Sequence, residues 1–265
     1  ITKKPKKIYF VTNHDERQVV DESTFGIKGI TDQLERLHYK VESLESLTEL
    51  PGDIAILVLV GPRKPITEDE KERLRSFLKE GGSLLFALDT GEDHGLGDFL
   101  KSYGIEFENT FVFSAAAQAG QSELLVLTHA GTLEHPIAQS LAEGDNPILF
   151  ISSSLKLAQE SDDLRLSPIL EHIPNSVGRA DVSPGSQIVN EGRQIAAAIS
   201  EGAGSDPHRM VVVADSDFMT NQFYTQPSNF NFLLGIVTYL SQDDDLLRMQ
   251  IPRPKTTYLI MTDTQ

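Results

Sequence analysis

The chain has 265 residues, 39% of them apolar and 23% charged, which suits a globular protein able to bury a full core and excludes wholesale disorder. Its 23 basic and 39 acidic side chains give a formal charge of −16, a surface that repels phosphate backbones and anionic lipid headgroups, so no nucleic acid partner is expected. There are no cysteines, which excludes disulfides, thiol nucleophiles and Cys-based zinc sites.

In chain order, Lys7–Thr12 reads as a short β-strand. Ile27, Ile30, Leu34 and Leu37 then fall on one face of a helix over 24–37. Val41–Leu44 is a brief strand, and Asp53–Val60 is a continuous apolar run ended by Gly61-Pro62, as in a strand covered on both faces. Thr67 and Glu70 have the spacing of a capping box, with Glu68, Asp69 and Glu70 in the first helical turn and Arg75 and Lys79 toward the end. Leu74, Phe77 and Leu78 supply the apolar stripe, and Gly81-Gly82 stops the helix. Ser83–Leu88 is a further buried strand, and Leu96, Phe99, Leu100 and Tyr103 form another helical face closed by Gly104.

The middle is less regular. Short β-like pieces at Glu123–Thr128, Ile148–Ser152 and Leu155–Gln159 are separated by turn-rich stretches holding Pro136, Pro147, Pro168, Pro174 and Pro184, and 174–192 reads as a long loop. Regularity returns with strands at Gln194–Ser200 and Arg209–Ala214 and a buried helix over Phe230–Leu240. The alternation predicts an α/β fold of the flavodoxin-like class: a mostly parallel sheet, helices on both faces and an elaborated middle. One domain is expected over residues 1–265, with a core of about 6–110 and 193–250 and an irregular middle of about 111–192.

Ligands of open parallel sheets bind at the carboxyl ends of the strands. Three such ends are polar. The first strand runs into Asn13-His14-Asp15-Glu16, the strand Ser83–Leu88 into Asp89-Thr90-Gly91, and the strand Arg209–Ala214 into Asp215-Ser216-Asp217 with Asn221 beyond. The candidate binding residues are therefore His14, Glu16, Asp89, Asp215, Ser216, Asp217 and Asn221. Each also has a plain structural reading, since Asp and Ser after a strand cap helices and shape turns. No catalytic residue, metal ligand set or cofactor is assigned. His129, His135 and His172 lack zinc-site spacing, and Gly-x-Ser-x-Gly and the P-loop are absent. Gly95-Leu96-Gly97 lacks the third glycine of a dinucleotide fingerprint.

The stretch from Gly61-Pro62-Arg63-Lys64-Pro65-Ile66-Thr67-Glu68-Asp69-Glu70 through Phe77-Leu78-Lys79-Glu80-Gly81-Gly82 to Leu88-Asp89 resembles the hallmark segment of the gliding-motility-associated ABC transporter auxiliary proteins. Tyr103-Gly104-Ile105, His135-Pro136-Ile137 and Arg209–Phe218 are similar to further segments of that family. Its Gly-His-Gly-Glu after the first strand is matched by Asn13-His14-Asp15-Glu16, which keeps His14 and Glu16 and loses both glycines.

The resemblance implies a bacterial membrane protein whose flavodoxin-like, glutamine-amidotransferase-like domain lies outside the cytoplasmic membrane. It also implies ABC permease and ATPase subunits as partners, and membrane attachment through segments absent from this chain. A related domain occurs in an intraflagellar transport subunit. The amidotransferases use a Cys nucleophile, which this chain does not have. The start at Ile1 and the basic clusters Lys3–Lys7 and Arg248–Lys255 fit a fragment flanked by such segments. The expected function is a non-catalytic auxiliary module of a transport or export system. A saccharide- or cation-binding domain and a hydrolase using strand-end carboxylates with His14 are the alternatives.

Overall fold

The computed structural model describes residues 4–114, 124–130, 135–141, 146–183, 185–204 and 207–242. The basic cluster Arg248–Lys255, Lys3 of the other cluster and the first residue of the expected strand Glu123–Thr128 lie outside them.

The first half follows the expected alternation: β1 (Lys7–Val11), α1 (Lys28–Arg36), β2 (Lys40–Leu44), β3 (Ile54–Val60), α2 (Glu68–Lys79), β4 (Ser83–Ala87) and α3 (Gly97–Ser102). Shorter pieces succeed them: β5 (Ile105–Phe107), β6 (Phe111–Phe113), β7 (Leu125–Ala130), α4 (Pro136–Ser140), β8 (Ile148–Phe150) and β9 (Leu155–Leu157). Then come β10 (Leu164–His172), β11 (Val177–Arg179), β12 (Ile188–Asn190), β13 (Ile195–Gly202), β14 (Arg209–Val213), a 3-10 turn at Asp217–Met219, and α5 (Pro227–Leu240).

The parallel block has the order β2-β1-β3-β4-β14, each neighbour parallel to the next. This is the strand order of the flavodoxin-like class, whose topological switch point lies between β1 and β3. Successive residues of a strand point to opposite faces, and β1 feeds two cores accordingly. Ile8 and Phe10 join Ile30 and Leu34 of α1 and Phe232 and Ile236 of α5 on one face. Tyr9 and Val11 join Leu74 and Leu78 of α2 and Phe99 of α3 on the other. Covered on both faces, β3 and β4 carry the near-continuous apolar runs of interior parallel strands.

The elaborated middle extends this sheet. Beyond β14 run β13, β10, β7 and β8, each antiparallel to its neighbour. Pro168 sits inside β10, where the register with β13 shifts between Pro168 and Leu170. A bulge is the place where a sheet tolerates a residue without an N–H. The stretch 174–192, expected as a loop, contains β11 and β12, which form a small antiparallel sheet with β6. These strands are three residues long, too short to show alternation, and Ile188 and Val189 on β12 are exposed.

Two family-like motifs have direct structural explanations. Gly104 has φ +77°, and a Cβ there would lie 2.8 Å from Leu166 Cδ1. His135 caps α4, its Nδ1 accepting the Ile137 N–H at 3.2 Å. Among the described residues no helix is long and apolar enough to cross a membrane.

Edge strand β8 is held by a side chain of α5. Fully buried Asn229 accepts the Ile148 N–H at 2.8 Å and donates to the Ile148 carbonyl at 3.0 Å, as a further strand would. Asn229→Ala is expected to cost about 2 kcal/mol, because it strips both backbone groups of their partner. Urea denaturation of the two proteins measures the difference.

Candidate functional site at the carboxyl ends of the parallel strands

The loops after β1 and β3 flank the switch point and are sewn together by backbone bonds. The His14 carbonyl accepts from Arg63 N at 2.8 Å and Lys64 N at 3.1 Å, and Arg17 N donates to the Val60 carbonyl at 3.0 Å. Asp15 takes φ +58°, at one of the positions where the resembled family has glycine. Asp is among the few residues that enter this left-handed region readily, so the loop keeps the turn without the glycine.

This turn brings His14 between two carboxylates. Its Nδ1 lies 3.3 Å from Glu16 Oε1 and its Nε2 lies 3.0 Å from Glu70 Oε2. Glu16 also accepts the His14 N–H at 2.6 Å, and Asn13 Nδ2 donates to Glu70 Oε1 at 3.0 Å. Glu70 reaches back to the Thr67 N–H at 3.0 Å and accepts the Thr67 hydroxyl at 2.7 Å. Burial opposes its ionisation, yet the Thr67 hydroxyl and N–H, His14 and Asn13 together hold its carboxyl below the usual range. His14, Glu16 and Glu70 are all buried, so the group is closed to solvent.

A second group is built on Arg17, next in the chain. Its Nε donates to Ser216 Oγ at 2.8 Å, Nη1 to the Phe25 carbonyl at 2.9 Å, and Nη2 to Asp217 Oδ1 at 2.5 Å and Asp89 Oδ2 at 3.3 Å. Asp89, at the end of β4, accepts both the Ser216 N–H and the Ser216 hydroxyl at 2.8 Å. Asp215 is buried, and its two oxygens accept the N–H groups of Asp217 at 2.8 Å and Phe150 at 3.1 Å. Gly61, φ +61°, lies beneath this group: a Cβ there would meet Ser216 Oγ at 2.8 Å and Asp89 Oδ2 at 2.9 Å.

The electrostatics follow from three carboxylates close together, two of them paired with the Arg17 guanidinium. Burial, with Asp217 and Asp89 beside it, pushes Asp215 well above the usual carboxylate range. Burial also raises Asp217, to about 6; Arg17 and Arg63 pull it down and Asp89 pushes it up.

The structure thus gathers Asp89, Asp215, Ser216 and Asp217 into one group and places His14 with Glu16 in another. Asn221 has a structural part: its Oδ1 accepts the Gly29 N–H at 2.8 Å, and its Nδ2 donates to the Asp21 and Ser23 carbonyls. Sequence reasoning did not select Arg17 or Glu70. Arg17 follows Glu16 on the strand-end loop, and that position is its sequence signal, whereas Glu70 carries only the signal of a capping residue. A Ser–His pair has no spacing that marks it in the sequence. Ser152 Oγ lies 3.3 Å from His172 Nε2, but both are buried, and burial pushes His172 down to about 4. Among the described residues no three His, Asp or Glu side chains are arranged to hold a metal ion.

The model of a family described as ABC-type uncharacterized transport system matches residues 5–235. The mmIFT52 N-terminal domain superposes with a TM-score of 0.69 at 18% identity, covering 88% of this chain and 97% of that one. A ThuA-like protein from Bacteroides uniformis gives 0.54 at 13% identity, covering 91% and 93%. Cytoplasmic protein STM3548 from Salmonella typhimurium gives 0.51 at 12% identity, covering 88% and 98%. At these identities the likeness is one of fold. Comparison with curated protein sequences gives no match.

Two outcomes are expected of the Arg17 group. Asp217 titrates at about 6 in the folded protein against 3.8 for an unperturbed aspartate, so the native state holds a proton that the unfolded chain has released. Stability from this group is therefore greatest below about pH 4 and is lost as the pH rises through about 6. Asp217→Asn keeps an acceptor for Arg17 and should raise stability at pH 7 by about 1 kcal/mol, with no gain at pH 4. Arg17→Leu leaves Asp89 and Asp217 unpaired and should cost about 3 kcal/mol at pH 7, less at pH 5. Denaturant melts of both variants across this pH range read each effect.

Proposed function

Since the chain belongs to the ABC-type uncharacterized transport system family, we propose that it is a non-catalytic interaction module of an ABC transport or export assembly. In this reading it sits on the outer side of the bacterial cytoplasmic membrane and works with the permease and ATPase subunits of the same system. Segments outside this sequence attach it to the membrane. A gliding-related role is the finer form of the proposal, taken from the family that the sequence resembles.

One observation carries the non-catalytic part. The polar side chains at the carboxyl ends of β1, β4 and β14 are spent on one another, at the place where a flavodoxin-like sheet receives its ligand. A general acid or base has to reach the proton it transfers, and His14, Glu16 and Asp215 are enclosed. The absence of Cys removes the nucleophile of the amidotransferase-like relatives. What remains for recognition is the outer surface, whose strongly acidic balance favours partners with basic faces.

Calorimetric titration of the chain with Mg-ATP should give no binding heat. The full-length protein, cross-linked in native membranes, should be recovered with the permease and ATPase of its own system. Stoichiometric nucleotide binding, or a hydrolytic activity abolished by His14→Ala, would overturn the reading. In a gliding host, unchanged surface spreading after deletion would sink the finer role alone.

A further inference from the structure

Residues 18–27, which lead from the strand-end loop of β1 into α1, form a loop fixed through its backbone. The Thr24 carbonyl accepts Gln222 N at 3.1 Å, the Phe25 carbonyl accepts Arg17 Nη1 at 2.9 Å, and the Gly26 carbonyl accepts Asn221 N at 2.8 Å. Asn221 Nδ2 adds bonds to the carbonyls of Asp21 and Ser23. The loop closes on itself where Gly26 meets Asp21. A Cβ at Gly26 would lie 2.1 Å from the Asp21 carbonyl oxygen, so only glycine fits there. None of these bonds uses the side chain of Val20 or Phe25.

Those two side chains point the other way. Val20 and Phe25 are each next in the chain to one member of the Asp21–Gly26 contact. At 75% and 59% they are the two most exposed large apolar side chains among the described residues. A single exposed apolar residue is ordinary, but two beside one rigid crossing make an anchor. Aromatic anchors dominate the energy of protein interfaces, and a loop already held in place loses little freedom on binding.

The charge around the anchor states what it fits. From Gln18 to Ile27 there is no lysine or arginine, while Asp21 and Glu22 lie between the two apolar residues. The Ser23 N–H and hydroxyl hold the Asp21 carboxyl below the usual range, so it stays ionised. The flanking cations are taken: Arg17 by Asp89 and Asp217, and Lys28 by Asp32 at 2.7 Å. An acidic rim of this kind repels anionic lipid headgroups and attracts a basic protein face.

We propose that Val20 and Phe25 are the contact through which this module docks on the permease of its system, entering an apolar pocket edged by lysine or arginine side chains. The identity of the partner rests on the transport reading above; its chemistry rests on the loop.

The test places a photo-cross-linking phenylalanine analogue at position 20 or 25 of the full-length protein in native membranes. Position 189, an exposed apolar site on β12, is the control. Permease adducts are expected from positions 20 and 25 at about tenfold the level from 189. In Val20→Ser/Phe25→Ser the backbone bonds persist, so the melting temperature should stay within about 2 °C while permease recovery by chemical cross-linking drops about tenfold. Glu22→Lys should lower that recovery about threefold. Equal adducts from 189, or undiminished recovery in the double variant or in Glu22→Lys, would refute the docking contact and leave the transport reading standing. No permease adduct from any position, with no recovery of permease by the wild type, would refute both.

Discussion

The guanidinium of Arg17 is what allows three strand ends to meet. It reaches Asp89 from β4, Ser216 and Asp217 from the segment after β14, and the carbonyl of Phe25 on its own loop. A guanidinium suits this place because its donors are fixed in one planar fork and cannot be deprotonated. A lysine would offer one point charge on a flexible stem. Without a cation, Asp89, Asp215 and Asp217 would face one another in a poorly solvated corner, where like charges repel strongly. With it, the loop after β1 is tied to the segments that follow β4 and β14.

The second polar group has a similar economy. Glu70 completes the first turn of α2 and also meets His14 and Asn13, so the helix start and the β1 loop are positioned by one carboxylate. Asp15 supplies the left-handed turn that lets His14 point inward. At this end of the sheet the side chains of the strand-end loops bond to one another. Buried ionic groups of this kind contribute little net stability, because desolvation offsets attraction. They do fix which loops sit together.

The antiparallel half of the sheet was only partly legible from sequence. β10 is a nine-residue strand, yet Pro168 within it reads as a break until the bulge against β13 is seen. The strands β11 and β12 are short and half exposed, with no periodicity to read. The β8 edge depends on Asn229, a residue of a helix that follows much later in the chain. In the parallel half, by contrast, burial on both faces makes each strand a continuous apolar run, and those runs could be read with little ambiguity.

By itself the sequence determined the alternation of β1 to α3, the capped start of α2, the buried strand β14 and helix α5, and the acidic, cysteine-free character that rules out several chemistries. These are local or compositional properties, set by periodicity, capping and charge. It also marked His14, Glu16, Asp89, Asp215, Ser216 and Asp217 as strand-end polar groups. Only the tertiary structure decided that they fall into two clusters, that Arg17 and Glu70 hold those clusters, and that Asn221 serves a loop. The reason is physical: Arg17 and Ser216 are 199 positions apart in the chain and 2.8 Å apart in space, and no local pattern records such a pairing.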